Sequence, residues 1–369
     1  MNKIIYMDNA STTRVYPEVV KEMSKYMLEE YGNPSSLNSL GEEAQKATEN
    51  AKKIIATEIG CKGNEIIFTS GGTESNNLAL IGLSKANPNR KKIIISSIEH
   101  SSIYELCKEM SKYGYEIVEI PVNREGFIDF SKLEKEINEN TLVVSIMHAN
   151  NEIGTLQDIS KIGNICRKKG VLFHTDAVQS FCKEKIDVNS MKIDLMSASG
   201  HKIGASKGIG FLYVREGTKI QPMIMGGSQE LGIRPGTQNV PGIAGLSKAV
   251  SITQKVNKNK IKDLREYFIS ELEKIGGKIN GSKIKRLTNN INVSFSGADN
   301  NEMLIKLSSK GIMCSTRSAC TSKQNKENRI LNNLGLSNKE IEGTLRFSLS
   351  EFNTKNEIDY VIKELKKII

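Results

Sequence analysis

The stretch that decides the fold is Asp194-Leu195-Met196-Ser197-Ala198-Ser199-Gly200-His201-Lys202, an apolar run followed by a small polar turn that ends in a lysine. The apolar run predicts a buried strand, and the turn places the amine of Lys202 just beyond its end. A glycine-rich segment, 204–210, follows directly. An amine in such surroundings loses hydration, so its pKa falls and it can form a Schiff base with an aldehyde. Most lysines are solvated surface cations, so other residues of the chain must show whether Lys202 has this role.

Seven apolar runs of strand length alternate with helical patterns along the first two thirds of the chain. The runs are Ile66–Thr69, Ile93–Ser96, Ile117–Ile120, Leu142–Met147, Val171–His174, Asp194–Ser197 and Gly210–Val214. Helical patterns such as 74–86, 103–113 and 159–169 lie between many of them. This alternation predicts an α/β fold with a large, mostly parallel, seven-stranded sheet that is covered by helices.

The length of the chain and the change of composition after about residue 249 predict two domains. The 369 residues exceed the usual size of a single core. A lysine- and asparagine-rich stretch, 254–262, opens a second set of helices and strands. We therefore predict a large domain over 15–250 and a smaller α+β domain made of 1–14 and 251–369. A helix is predicted after Pro17, and four residues form its apolar face: Val19, Val20, Met23 and Met27.

The composition is that of an ordinary globular protein and narrows the function. The chain is 38% hydrophobic and 25% charged, and its net charge of +10 is scattered rather than gathered with aromatics, so we do not expect nucleic-acid binding. The apolar run at the start of the chain is too short for a signal peptide. No later apolar run has the length of a membrane-spanning helix, so we expect a cytoplasmic protein. The six cysteines include no CxxC pair, and the four histidines show no metal-ligand spacing; neither a disulfide framework nor a metal site is expected.

Polar residues follow five of the predicted strands, at the ends where an open parallel sheet binds its ligands. The first group, 70–74, is a glycine turn that leads into a helix, where free backbone N–H groups favour a phosphate. The others are His100 and the groups 148–152, 176–179 and 199–202. Each group alone also fits a helix cap, a packed histidine or a turn. Together they predict a pocket for a flat, anionic ring that contains nitrogen.

Pyridoxal 5'-phosphate is a ring of that kind. It requires a lysine for the imine, a carboxylate at the pyridine nitrogen, an aromatic face and donors for the phosphate. The chain offers one candidate or more for each requirement: Lys202, Asp176, His100, and Thr73 with Ser199 and His201.

Nine ordered blocks, spread over nearly the whole chain, carry a family resemblance. They are MDNASTT at 7–13, GNPSS at 32–36, TSGGTES at 69–75, NNEIG at 150–154, DAVQS at 176–180, SGHK at 199–202, RPGT at 234–237, SACTS at 318–322 and RFSL at 346–349. In these blocks the chain resembles the cysteine desulfurases of the NifS/IscS type, which are pyridoxal-phosphate enzymes of fold type I. The resemblance implies the same fold, the same cofactor and a homodimer.

The resemblance also implies roles for the residues that bind the cofactor. Lys202 would carry the cofactor, Asp176 would pair with the pyridine nitrogen, and Gln179 would bond the phenolic oxygen. His100 would stack on the ring and act in catalysis. The phosphate would be held by Gly72, Thr73, Ser199 and His201, and by Thr237 of the neighbouring subunit.

For the substrate, the resemblance implies that Arg346 clamps the carboxylate of L-cysteine and that Asn151 lies beside cofactor and substrate. Cys320 would accept the sulfur, so the products would be L-alanine and a persulfide on Cys320. The partner would be a sulfur-acceptor protein, either an iron–sulfur scaffold or a tRNA-thiolating enzyme.

Alternatives remain open at this point. A selenocysteine lyase, an aminotransferase of the same fold or a non-catalytic binding relative would share most of the motifs. The chain has Asn38, Arg317 and Leu231 where the family usually has histidine, glycine and arginine, so the effect of these changes on activity is open. Arg317 would lower the pKa of the Cys320 thiol, anchor an acidic partner, or do neither. We expect Cys314 to be a packed thiol, with resolution of the persulfide as the alternative.

Overall fold

The computed structural model describes residues 4–316 and 328–369. The strands in these ranges are β1 (Ile5–Tyr6), β2 (Ile66–Thr69), β3 (Lys92–Ser96), β4 (Glu116–Ile120), β5 (Thr141–Ser145), β6 (Leu172–Asp176), β7 (Leu195–Ser199), β8 (Gly210–Val214), β9 (Lys278–Ile279), β10 (Asn290–Ser294), β11 (Ile312–Met313) and β12 (Thr344–Ser348). The α-helices are α1 (Pro17–Leu28), α2 (Ser39–Ile59), α3 (Gly72–Ala86), α4 (Ser101–Ser111), α5 (Phe130–Glu136), α6 (Ile159–Lys168), α7 (Val240–Thr253), α8 (Lys258–Lys274), α9 (Asn300–Ser309), α10 (Arg329–Asn333), α11 (Asn338–Glu342) and α12 (Lys355–Leu365).

The central sheet has seven strands in the order β2-β8-β7-β6-β5-β3-β4. Strand β8 runs antiparallel to both of its neighbours, and the other neighbouring strands are parallel. Strands β2, β3, β5, β7 and β8 are buried along their whole length, because helices cover both faces. The predicted mostly parallel, seven-stranded sheet is confirmed.

One edge of this sheet collects the predicted site residues. Since β2 is antiparallel to β8, and β8 is antiparallel to β7, strands β2 and β7 point the same way. The carboxyl ends of β2, β3, β5, β6 and β7 therefore meet at a single edge, which we call the site edge. All five polar groups picked out in the sequence follow, or end, these strands.

Two apolar clusters sandwich the sheet, and a third lies beyond it. Residues of α2, α6 and α7 pack on one face, and residues of α3 and α4 on the other. The third cluster joins α8, α9 and α12 to β10 and β12, with the rings of Phe268 and Phe347 4.9 Å apart. Ile5 and Met7 belong to this third cluster. The division into 15–250 and 1–14 with 251–369 stays a prediction, which this packing supports.

Helix α1 buries only part of its predicted apolar face. Val19 is fully buried, whereas Val20 is 52% exposed and Met27 is 54% exposed. The helix packs along α7. A narrow apolar stripe suffices for this contact, and a residue next to Val19 is turned about 100° away from that stripe.

Among the described helices, every one is too short or too polar to cross a bilayer.

Candidate active site

A cavity of about 180 Å³ lies at the site edge. Ten of the twelve predicted site residues form part of its walls: Gly72, Thr73, His100, Asn151, Asp176, Gln179, Ser199, His201, Lys202 and Arg346. Thr237 lies on an exposed loop and is absent from these walls. Cys320 and Arg317 lie outside the described residues.

The turn between β2 and α3 forms the anion-binding end of the cavity. Gly71 has a φ of 151°, which side-chain-bearing residues rarely adopt, and it precedes the helix without a side-chain cap. A Cβ on Gly72 would lie 2.6 Å from Cγ2 of Val178, so only glycine fits there. Glu74 and Arg234 stabilise the turn by an ion pair of 2.8 Å. The uncapped N–H groups of the first turn of α3 suit a phosphate.

Asp176 is buried at the end of β6 and is oriented by two donors. Its Oδ1 accepts from the backbone N–H of Val178 at 2.9 Å, and its Oδ2 accepts from the side-chain amide of Asn76 at 2.7 Å. The same amide group of Asn76 donates to Oγ of Ser102 at 2.8 Å. Held in place by these donors, the carboxylate is a suitable acceptor for a protonated ring nitrogen.

His100 caps α4, and its ring is neutral. The backbone N–H of Ser102 donates to Nδ1 at 3.2 Å, so the ring proton lies on Nε2. Burial lowers the pKa of His100, an effect that nearby Asp176 opposes. His201 is also neutral, because burial lowers its pKa to about 4. Both rings can therefore serve as neutral hydrogen-bonding or stacking groups.

Lys202 is held in the cavity by the N-terminal segment. Its Nζ donates to the backbone carbonyls of Ala10 at 2.6 Å and Ser11 at 2.7 Å. The side-chain amide of Gln179 donates to the same carbonyl of Ala10 at 2.9 Å. These bonds hold the amine of Lys202 among the polar residues of the cavity, where it can meet an aldehyde.

Arg346 lies on β12 and is 1% exposed. Its guanidinium links this strand to residues near the start of the chain. Its Nη2 donates to Oδ1 of Asp8 at 2.8 Å and to Oγ of Ser11 at 2.7 Å, and its Nη1 donates to the carbonyl of Asn151 at 3.0 Å. Within the described residues, Nε of Arg346 and Oδ1 of Asn151 are buried without a hydrogen-bond partner. At the wall of a cavity, buried polar atoms of this kind are free to bond a polar group of a bound molecule.

The sequence reasoning missed the residues that position the predicted ones. Asn76 lies one helical turn after Gly72, on the buried face of α3, and a four-residue spacing from the glycine turn could have revealed it. Asp8, Ala10 and Ser11 lie within the block at 7–13, but their contacts reach across most of the chain. No local pattern carries that information.

Three of the positions that the sequence leaves open lie within the described residues. Asn38 caps α2, because its Oδ1 accepts from the backbone N–H of Gly41 at 3.0 Å. Leu231 is 67% exposed, with a φ of 60°. Cys314 is buried, and burial raises the pKa of its thiol, as expected of a packed residue.

The cavity fits pyridoxal 5'-phosphate by its donor set. The uncapped start of α3 would suit a phosphate, the doubly oriented carboxylate would suit the ring nitrogen, and the amine of Lys202 would suit the aldehyde. The orphaned Oδ1 of Asn151 and Nε of Arg346 provide further polar partners for a bound molecule.

Comparison with known proteins agrees with this geometry. Residues 5–361 match the family described as aminotransferase class-V. The match covers nearly the whole chain, so the protein belongs to the class V aminotransferase family, whose members depend on pyridoxal 5'-phosphate.

Particular relatives are more specific than the family. The cysteine desulfurase IscS of Dictyoglomus turgidum is 42% identical over 100% of this chain and 95% of its own length. A solved NifS-like protein has a TM-score of 0.93 and 36% identity, covering 99% of both chains. The structure of SspA in complex with cysteine has a TM-score of 0.86 and 36% identity, covering 95% of this chain and 99% of the other.

Proposed function

We propose that this protein is a pyridoxal-phosphate-dependent L-cysteine desulfurase that releases L-alanine and leaves the sulfur as a persulfide on Cys320. The observation that carries the proposal is the meeting of Lys202, Asp176 and Arg346 in the walls of one cavity. The similarity to cysteine desulfurases along the full chain length supports the choice of substrate. We expect the activity in the cytoplasm, where Cys320 would remain a reduced thiol.

The residues of the site have separate tasks in this reaction. The guanidinium of Arg346 and the amide of Asn151 bind the carboxylate of L-cysteine and fix the direction of its Cα–H bond. The amine of Lys202 moves the Cα proton. Bound pyridoxal phosphate supplies an electron sink for the charge that develops at Cα. Asp176, oriented by Asn76 and Val178, keeps the ring nitrogen protonated so that the sink stays effective.

Sulfur transfer is the step that separates this reaction from transamination. The thiolate of Cys320 attacks the substrate sulfur, the Cβ–S bond breaks, and its electron pair stays with the carbon fragment, which is released as L-alanine after protonation. The sulfur ends on Cys320 as a persulfide. An acceptor protein, for iron–sulfur assembly or tRNA thiolation, would then collect it.

Mass spectrometry of the purified holoenzyme after addition of L-cysteine tests the proposal. We expect one added sulfur atom on the peptide that contains Cys320, and borohydride treatment of the resting enzyme should fix the cofactor on Lys202. Cys320→Ser should abolish persulfide formation, whereas the control Cys61→Ser should retain it. Exchange of amino groups with keto acids, without release of alanine from cysteine, would contradict the desulfurase and favour an aminotransferase. Faster alanine release from selenocysteine than from cysteine would favour a selenocysteine lyase.

We also propose a homodimer in which Thr237 reaches the cofactor phosphate of the neighbouring subunit. The segment that carries Thr237 exposes three large apolar side chains, Ile224, Met225 and Leu231. A partner subunit would remove them from water. Light scattering should give twice the chain mass, and Thr237→Ala should weaken cofactor retention without splitting the dimer. A monomer that retains full cofactor affinity would refute this arrangement.

A further inference from the structure

A second cavity, separate from the active-site cavity, also lies beside Lys202. It measures about 70 Å³ and shares Lys202 with the active-site walls. We call it the rear cavity and define it by Arg14, Tyr16, Lys183, Lys202, Lys258 and Glu351, which come from five separate segments. None of the roles assigned to the active site uses Lys183, Lys258 or Glu351.

The charge of the rear cavity is strongly unbalanced. Apart from Lys202, which would carry the cofactor in the holoenzyme, three cationic side chains line it: Arg14, Lys183 and Lys258. Glu351 is the single carboxylate among its described lining residues. Glu351 is already engaged, because the hydroxyl of Tyr16 donates to its carboxylate. The amino-terminal end of α8, at Lys258, adds the positive end of a helix dipole. The walls therefore attract negative charge.

Lys183 provides the second and independent observation. Its Nζ is buried and has no hydrogen-bond partner within the described part of the chain. Burial lowers the pKa of this amine to about 8, and although the carboxylates of Glu184 and Glu351 oppose the shift, neither bonds to it. The preceding residue, Cys182, has a φ of 59°, an unfavourable conformation for a residue other than glycine. Because the Nζ of Lys183 is buried without a partner among the described residues, a bound anion would supply the charge-assisted hydrogen bond that it lacks.

We propose that the rear cavity binds a small anion, an inorganic oxyanion or the carboxylate of a small molecule, with Lys183 as its main partner. A cavity needs roughly 10–15 Å³ to hold one water molecule. About 70 Å³ thus admits a few heavy atoms, which suits phosphate or acetate and excludes a nucleotide. The proposal does not depend on the desulfurase activity, because binding can be measured without turnover.

Calorimetric titration of the holoenzyme with inorganic phosphate, and separately with acetate, at constant ionic strength tests it. In the holoenzyme the phosphate cradle of the active site is filled by the cofactor. We expect saturable binding that Lys183→Met weakens about tenfold or more, since a hydrogen bond between charged groups is lost. The matched control is Lys185→Met, an exposed lysine two residues away that lies outside the cavity walls. It should bind as the wild type does.

A second variant covers the case in which Lys183→Met fails to fold. Lys258→Gln at the wall of the rear cavity should weaken binding, whereas Lys255→Gln, exposed and outside the walls, should not. Tighter binding of phosphate than of acetate would assign an oxyanion site, and the reverse would assign a carboxylate site. Absence of saturable binding of both anions, or equal affinity in Lys258→Gln and the wild type, would overturn the proposal.

Discussion

One wall of the active-site cavity is made by the strand ends of the large sheet, and the facing wall by the segment 8–11 together with Arg346. In the sheet wall, positioning contacts are often short in sequence, as between Asp176 and Val178, two residues apart. In the facing wall they are long, since Asp8 and Arg346 lie 338 residues apart. The sheet wall is thus prepared partly by local sequence and partly by contacts of intermediate range, such as the bond between Asn76 and Asp176. The facing wall exists only when segments near the two ends of the chain have met.

Lys202 joins the two walls, and its removal should have the largest effect. It follows the end of β7, and its amine is held by carbonyls of Ala10 and Ser11. We expect Lys202→Ala to lower the rate of alanine formation from cysteine by about 10⁴-fold or more, since both the covalent anchor and the proton carrier are lost. Lys185→Ala, on the surface, should leave the rate unchanged. A loss smaller than about 100-fold would mean that another group carries the proton.

The facing wall can be tested by removing the carboxylate of Asp8. Arg346 is 1% exposed and Asp8 is 19% exposed, so Asp8→Ala would leave a buried guanidinium without its carboxylate. We expect a loss of about 3–5 kcal/mol in the free energy of unfolding, measured by urea titration. Asp359→Ala, which removes an exposed partner of Lys355, is the control and should change stability little. Equal effects of the two variants would show that the facing wall is not stabilised by this pair.

The sheet wall can be weakened at Asn76 without touching the facing wall. Asn76→Ala removes the 2.7 Å bond to Asp176. A hydrogen bond to a charged group is worth about 1.5–3 kcal/mol, so kcat/KM should fall by roughly 10- to 100-fold. The cofactor absorption should also change its dependence on pH, because the carboxylate that would pair with the ring nitrogen has lost a donor. Asn87→Ala, at the other end of α3, should leave both unchanged; a similar drop there would indicate a general effect on the helix.

The same contrast explains what the sequence could predict. The seven strands of the sheet were predictable because apolar runs, glycines and helical periods are local signals. Nine of the ten site residues in the cavity walls follow or end parallel strands of the large sheet, whose carboxyl ends meet at one edge. The tenth, Arg346, lies on β12 of another sheet, and only the family resemblance assigns it to the site. The carbonyl partners of Lys202 could not be predicted, since a backbone carbonyl carries no residue-type signal and Ala10 lies 192 residues away.

Two details of the helices have equally physical reasons. Val20 and Met27 are apolar but exposed, because α1 packs on one neighbour and an apolar residue on a surface helix need not be buried. How much of an apolar helix face is buried therefore depends on tertiary context. Asn38 departs from the family pattern, and its place before α2 is the local signal of a helix cap.

His174 tests whether the interior behind the sheet wall responds to pH. The ring is fully buried, with Nδ1 2.8 Å from Oγ of Ser145 and Nε2 3.0 Å from Oγ of Ser197. Burial lowers its pKa from 6.5 to about 3, so between these values the unfolded chain binds a proton that the folded protein does not. Stability should therefore fall as the pH drops below 6.5, by about 2 kcal/mol at pH 5 from this residue. In urea titrations from pH 7 to pH 5, His174→Gln should lose that much less than the wild type, whatever its stability at pH 7. Parallel losses in both proteins would mean that His174 is protonated in the folded state, and the sheet wall would then be more open to solvent than its packing indicates.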